Sequence, residues 1–199
     1  MPTRRTILQS AAALSAAPLA SRVVFAGGAE AAANIEVISD IRHREARAFN
    51  KRAAHLDAPI SPLRDGDITK LWQNYYSVAW KDDKPRALAG LTERPALFML
   101  EQLGRDYGMR VFFQAEHESQ GAGGWAHRIL RSSNLNLKGQ LDAAGSAWPA
   151  VLADQLLISP QDVASPEIGP TGAAMAAHIG EPEKLYSWII APRSVAQHI

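Results

Sequence analysis

Hydrophobic and polar positions along this chain repeat with two different periods, and the switches between them outline a layered domain. Residues 35–40, Ile-Glu-Val-Ile-Ser-Asp, are a short β-branched run ending in polar side chains, which predicts a first strand. Residues 42–56 follow with Ala46, Phe49, Ala53 and Leu56 at spacings of three and four, the stripe of an amphipathic helix. Pro59 and Pro62 bracket residues 60–63, so a second strand there belongs at a sheet edge. Asp65-Gly66-Asp67 supplies a turn and an N-cap for a helix over 68–80, whose inward stripe is Ile68, Leu71, Tyr75 and Val78.

The alternation continues. Residues 87–91, small and apolar, suit a buried parallel strand. Thr92 is placed to cap a helix over 93–107 that has Pro95 in its first turn, Leu97 and Leu100 on its core face, and Gly108 as its stop. Residues 109–117 predict a longer strand, and 125–130 its antiparallel partner across the glycine-rich segment 121–124. Beyond Arg131 the pattern loosens into a loop over 134–146, a helix over 149–157, a Pro- and Gly-studded stretch over 160–182 and a last strand over 185–190. Strands alternating with helices predict an α/β fold, a two- or three-layer Rossmann-like domain with a mainly parallel sheet and a C-terminal antiparallel hairpin. Residues 35–199 read as one such domain, because no repeat and no second core is visible.

The first 26 residues have a different character. They carry Arg4, Arg5 and Arg22 and no acid, and the apolar run over 7–20 is short for a permanent crossing of an apolar bilayer core of about 30 Å. Thr3-Arg4-Arg5-Thr6-Ile7-Leu8-Gln9 resembles the twin-arginine (Tat) export signal, with Ile7 and Gln9 departing from the usual Phe and Lys. Val24-Phe25-Ala26 offers a cut after Ala26, leaving residues 27–34 as a flexible mature N-terminus. The resemblance implies passage through the Tat translocase to the periplasm, folded, alone or with a co-exported subunit, and without a permanent membrane span.

Removing that segment takes three of the 21 basic residues and none of the 20 acids, so the mature chain is left near −2. No basic field for nucleic acid remains. The absence of cysteine excludes disulfides, thiolate metal sites and cysteine nucleophiles. No cofactor motif is evident: the glycines at 121, 123 and 124 lead into a strand-like run rather than a helix, and no G-x-S-x-G is present.

In open α/β sheets ligands gather outside the carboxyl ends of strands, which selects Asp40, Arg42, Arg64, Asp65, Thr92, Arg94 and Glu116 as ligand-binding candidates. The arginines suit an anion, although polar strand ends also serve as ordinary caps. If the hairpin is centred near Ala122, His117 and His127 stand opposite each other with Cβ atoms about 5 Å apart, and a carboxylate from elsewhere would complete a divalent-metal site. Trp72, Tyr76 and Trp80, spaced four apart, form an aromatic ridge beside the helix's core stripe, either a partner surface or a second buried face. Two functions stand on these grounds. One is an exported, non-catalytic protein that binds a partner subunit or a small anionic ligand, as an accessory to a redox enzyme. The other is a small periplasmic enzyme using the strand-end acids, arginines and histidines, with a metal.

Overall fold

The computed structural model describes residues 34–82, 86–165 and 183–192. The segment expected to be an export signal, with Arg4, Arg5 and Ala26, residues 27–33 and residues 166–182 lie outside the described residues. The elements in chain order are β1 (Ile35–Asp40), α1 (Arg44–His55), β2 (Ile60–Leu63), a composite helix α2, β3 (Ala87–Thr92), α3 (Arg94–Arg105), β4 (Met109–Ser119), β5 (Trp125–Arg131), α4 (Leu137–Ala144), α5 (Trp148–Leu157), α6 (Pro160–Val163) and β6 (Lys184–Pro192). Helix α2 consists of Thr69–Leu71, a π-helical turn Trp72–Tyr76 and Ser77–Asp82. Among the described residues no helix is long and apolar enough to cross a membrane.

The six strands form one sheet in the order β2-β1-β3-β6-β4-β5. β1 pairs in parallel with β2 and β3, whereas β6 pairs antiparallel with both β3 and β4, and β4 antiparallel with β5. The fold is therefore α/β with a mixed, mostly antiparallel sheet, which corrects the expectation of a mainly parallel Rossmann-like one. The reason is β6. From Leu185 onward this strand is buried at every position, so both of its faces need cover and it inserts between β3 and β4 instead of closing an edge. The β4–β5 hairpin forms as expected but precedes β6, so it is not C-terminal.

Two cores flank the sheet. One packs α1, α4, α5 and α6 on Ile35, Val37, Ala89 and Leu91; the other packs α2 and α3 on Ile38, Leu88, Trp188 and Ile190. Gly90 makes the second core possible, since a Cβ there would lie 2.3 Å from the Trp188 indole. A register shift near Phe112 turns Phe112, Phe113 and Ala115 toward the first core, and leaves Glu116 and Glu118 on the opposite side from His117.

Two local expectations change. Residues 137–144 are helical, not a loop, because Leu137 and Leu141 are buried one turn apart while Asn134 and Ser132 side chains accept from backbone N–H groups at the entry. In α2 the predicted inward stripe is partly outward: Tyr75 is 49% and Val78 57% exposed, whereas Tyr76 and Trp80 are buried and Trp72 packs on Trp80 and Tyr107. The aromatic ridge Trp72, Tyr76 and Trp80 is therefore core rather than a partner surface. A four-residue spacing drifts by about 40° per repeat around a regular α-helix, and the π-helical turn takes up that drift, keeping the three rings on one side.

Candidate functional site

Helix α1, which follows β1, packs on one face of the sheet, and α3, which follows the adjacent parallel strand β3, packs on the other. Two connections leaving neighbouring strands in opposite directions open a crevice outside their carboxyl ends, the place where open α/β sheets bind ligands. Asp40 ends β1, Glu93 directly follows β3, and His43 stands just before α1. The residue preceding β6, Glu183, reaches the same crevice because β6 runs antiparallel to β3.

His43 organises the cluster. Its Nδ1 is hydrogen-bonded to Glu183 Oε1. Its Nε2 lies 3.0 Å from Glu93 Oε1 and 3.7 Å from Asp40 Oδ2. One ligand atom each from Asp40, His43 and Glu93 lies within 4.8 Å of the other two. Donors around a tetrahedral cation at ordinary bond lengths are about 3.3 Å apart, so modest closure of these atoms would hold one. An imidazole anchored by a carboxylate on its other nitrogen is the arrangement that fixes metal-binding histidines. The cluster has a buried floor and an open mouth: the side chains of Asp40, His43 and Glu93 are 1%, 13% and 40% exposed.

Arg42 lies across the two carboxylates. Nε donates to Asp40 Oδ1 at 2.9 Å, and Nη2 lies 2.5 Å from Asp40 Oδ2 and 3.2 Å from Glu93 Oε2. The hydrogen bonds to Asp40 hold the guanidinium still more firmly in its charged form.

Of the residues expected at the strand ends, the structure unites only Asp40 and Arg42 in this crevice. Arg64 is exposed at the end of β2. Asp65 accepts from the Asp67 N–H and pairs with Lys70, a turn role that lowers its pKa, the bond from Asp67 contributing most. Thr92 does not cap α3; it is the last residue of β3, accepts from Trp188 Nε1 at 3.1 Å and donates to the Glu93 carbonyl. The Arg94 guanidinium lies over the Tyr186 ring at 5.8 Å. Glu116 pairs with Arg128 at 2.6 Å and accepts from the Tyr186 hydroxyl, whose pKa is pushed up to about 12, by burial first and then by Glu116.

His117 and His127 are opposite each other in the hairpin, as expected. Their Nδ1 atoms are 2.8 Å apart, His117 Nε2 meets Ser187 Oγ at 2.8 Å, and both rings pack on Trp148. No carboxylate completes a metal site there: among the described residues, the group of three ligating side chains is the one in the crevice. The physical reason is the side each strand position faces. The acids flanking His117 project to the opposite side of β4, and the pair is enclosed by the core of α4 and α5. Burial lowers the pKa of His117 well below its usual value, with His127 adding to the effect, and burial likewise lowers that of His127.

Sequence reasoning missed His43, Glu93 and Glu183. Glu93 directly follows a strand, Glu183 directly precedes one and His43 stands at the N-cap of α1, so their places along the chain are ones where a ligand is sought. What was missing was that β1 and β3 are neighbours and that β6 runs back beside them. Comparison of the chain with protein-family models, with curated proteins and with solved structures finds no match to any of them, so what the crevice does is read from its own atoms.

Proposed function

We propose that the protein is an exported enzyme that binds a divalent cation in the crevice between β1 and β3 and uses it in hydrolysis of a small substrate. The observation that carries this reading is the convergence of Asp40, His43 and Glu93 with the second nitrogen of His43 anchored on Glu183. One imidazole and two carboxylates suit a zinc or manganese ion. Three protein ligands leave coordination positions for water and a substrate oxygen, the form of catalytic rather than structural sites. Three carboxylates against one guanidinium favour a cation over the anionic ligand that the strand-end arginines suggest. A partner-binding accessory role would need another surface, since Tyr76 and Trp80 of the aromatic ridge are buried and Trp72 packs against them, partly buried. Export rests on the resemblance of residues 3–9 to twin-arginine signals.

Calorimetric titration of the purified mature protein with Zn²⁺ and with Mn²⁺ tests the site. One cation per chain is expected, with affinity at least tenfold weaker in Asp40→Asn, His43→Gln and Glu93→Gln. No uptake by the wild type, or variants that bind as well as it does, would remove the proposal.

A further inference from the structure

Arg42 stands where an arriving cation would go. Its Nη2 bridges Asp40 Oδ2 and a Glu93 carboxylate oxygen, 2.5 and 3.2 Å away. Asp40 Oδ2 is also the oxygen that Asp40 turns toward His43 Nε2, 3.7 Å away, so guanidinium and metal would contend for one lone-pair region. The second guanidinium contact differs in kind, because Nε bonds the other oxygen, Oδ1, at 2.9 Å and leaves the crevice side of Asp40 clear.

The placement of this guanidinium is built into the fold. The turn between β2 and α2 passes over it at Gly66, whose φ of +78° favours glycine and where a Cβ would lie 2.1 Å from Arg42 Nη2. A side chain at position 66 would force the guanidinium to shift from this position. The arginine's backbone N–H also bonds Asp40 Oδ1, at 3.2 Å, so residue 42 and Asp40 form one local unit directly after β1. A bidentate guanidinium–carboxylate pair with a floor this closely fitted is a specific device rather than a roaming surface ion pair.

We propose that Arg42 is an internal counter-cation of the crevice, which offsets one of the two charges of Asp40 and Glu93 when no metal is bound and must release its Nη2 contacts for one to enter. This rests on the cation reading of the same site. Arg42 Nε stays on Asp40 Oδ1 and keeps that carboxylate aimed, while Nη2 swings toward solvent, a movement its 43% exposed side chain permits. The device weakens metal binding and makes it selective, because a monovalent ion gains too little from two carboxylates to displace a guanidinium already there. A divalent ion gains enough.

The test is Mn²⁺ titration of wild type, Arg42→Gln and Arg42→Lys, with a thermal melt of each without and with Mn²⁺. Arg42→Gln should bind Mn²⁺ at least tenfold more tightly than wild type, and Arg42→Lys, which keeps the charge but not the two-point grip, should fall between them. Without metal Arg42→Gln should melt lower than wild type, since the carboxylates then repel one another, and it should gain more from Mn²⁺. Where Arg42→Gln proves too unstable to titrate, Arg42→Lys decides alone, by binding more tightly than wild type. Wild-type binding together with equal or weaker binding by the variants overturns the counter-cation role and leaves the site standing. No binding by the wild type overturns the cation site and with it the counter-cation role, whatever the variants do.

Discussion

The buried pair His117 and His127 makes stability depend on pH in a direction that follows from its geometry. Both rings are enclosed by β4, β5 and the α4–α5 layer. The groups facing them are Ser187 on β6, Trp148 on α5, and Lys138 and Asp142 on α4, the acid raising and the lysine lowering the His127 pKa. Both histidines have folded-state pKa values below their usual value, so between those values and the unfolded value near 6.5 only the unfolded chain takes up protons. Stability from the pair is therefore complete well above pH 6.5 and is lost as the pH falls. Each differential proton contributes at most about 1.4 kcal/mol per pH unit, so two give a slope of up to about 2.7 kcal/mol per unit. That is large against a total of about 5–15 kcal/mol for a domain. Urea unfolding at pH 8, 7, 6 and 5, at fixed ionic strength, measures it. His127→Asn should flatten the slope by about one proton. A wild-type stability that is level between pH 7 and pH 5, or a variant with the wild-type slope, would show that the two rings are not held neutral by burial.

Three further outcomes follow from packing and from the proposed export signal. Trp80→Ala removes a buried ring that meets Trp72 and Tyr107 edge to face and Tyr76 at a tilt, and should cost about 3–5 kcal/mol in chemical unfolding; a cost under 1 kcal/mol would place that ring outside the core. Gly90→Ala forces a methyl against Trp188 and the Ile38 carbonyl and should cost about 1–3 kcal/mol with altered tryptophan fluorescence, whereas a neutral result would mean that the indole lies elsewhere. Replacing Arg4 and Arg5 together by Lys should hold precursor in the cytoplasm on cell fractionation; undiminished export would show that another route suffices.

Much of the local structure is legible in the sequence because it is driven by short-range pattern. The stripe Ala46, Phe49, Ala53 marks α1, the β-branched run Ile35–Asp40 marks β1, and the glycine-rich segment sets the hairpin that pairs His117 with His127. What sequence alone does not carry is long-range: β6 is read as a last strand, yet nothing in residues 184–192 says that it inserts between β3 and β4. That insertion changes the sheet from mainly parallel to mixed and brings Glu183 to His43. The face of α2 is lost for another reason, since a π-helical turn inside Trp72–Tyr76 defeats a count based on 3.6 residues per turn. The candidate site is half visible for the same cause. Asp40 stands out at the end of β1, but His43 and Glu93, 50 residues apart in sequence, become partners only when β1 and β3 lie side by side.

A cation held by Asp40, His43 and Glu93, as proposed, would have one imidazole in its coordination shell, which pulsed electron paramagnetic resonance of the protein loaded with one equivalent of Mn²⁺ detects. Coupling to a single imidazole nitrogen is expected, lost in His43→Gln and unchanged in His127→Asn. Coupling that survives in His43→Gln, or that disappears in His127→Asn, would contradict it and move the metal to the histidine pair of the hairpin.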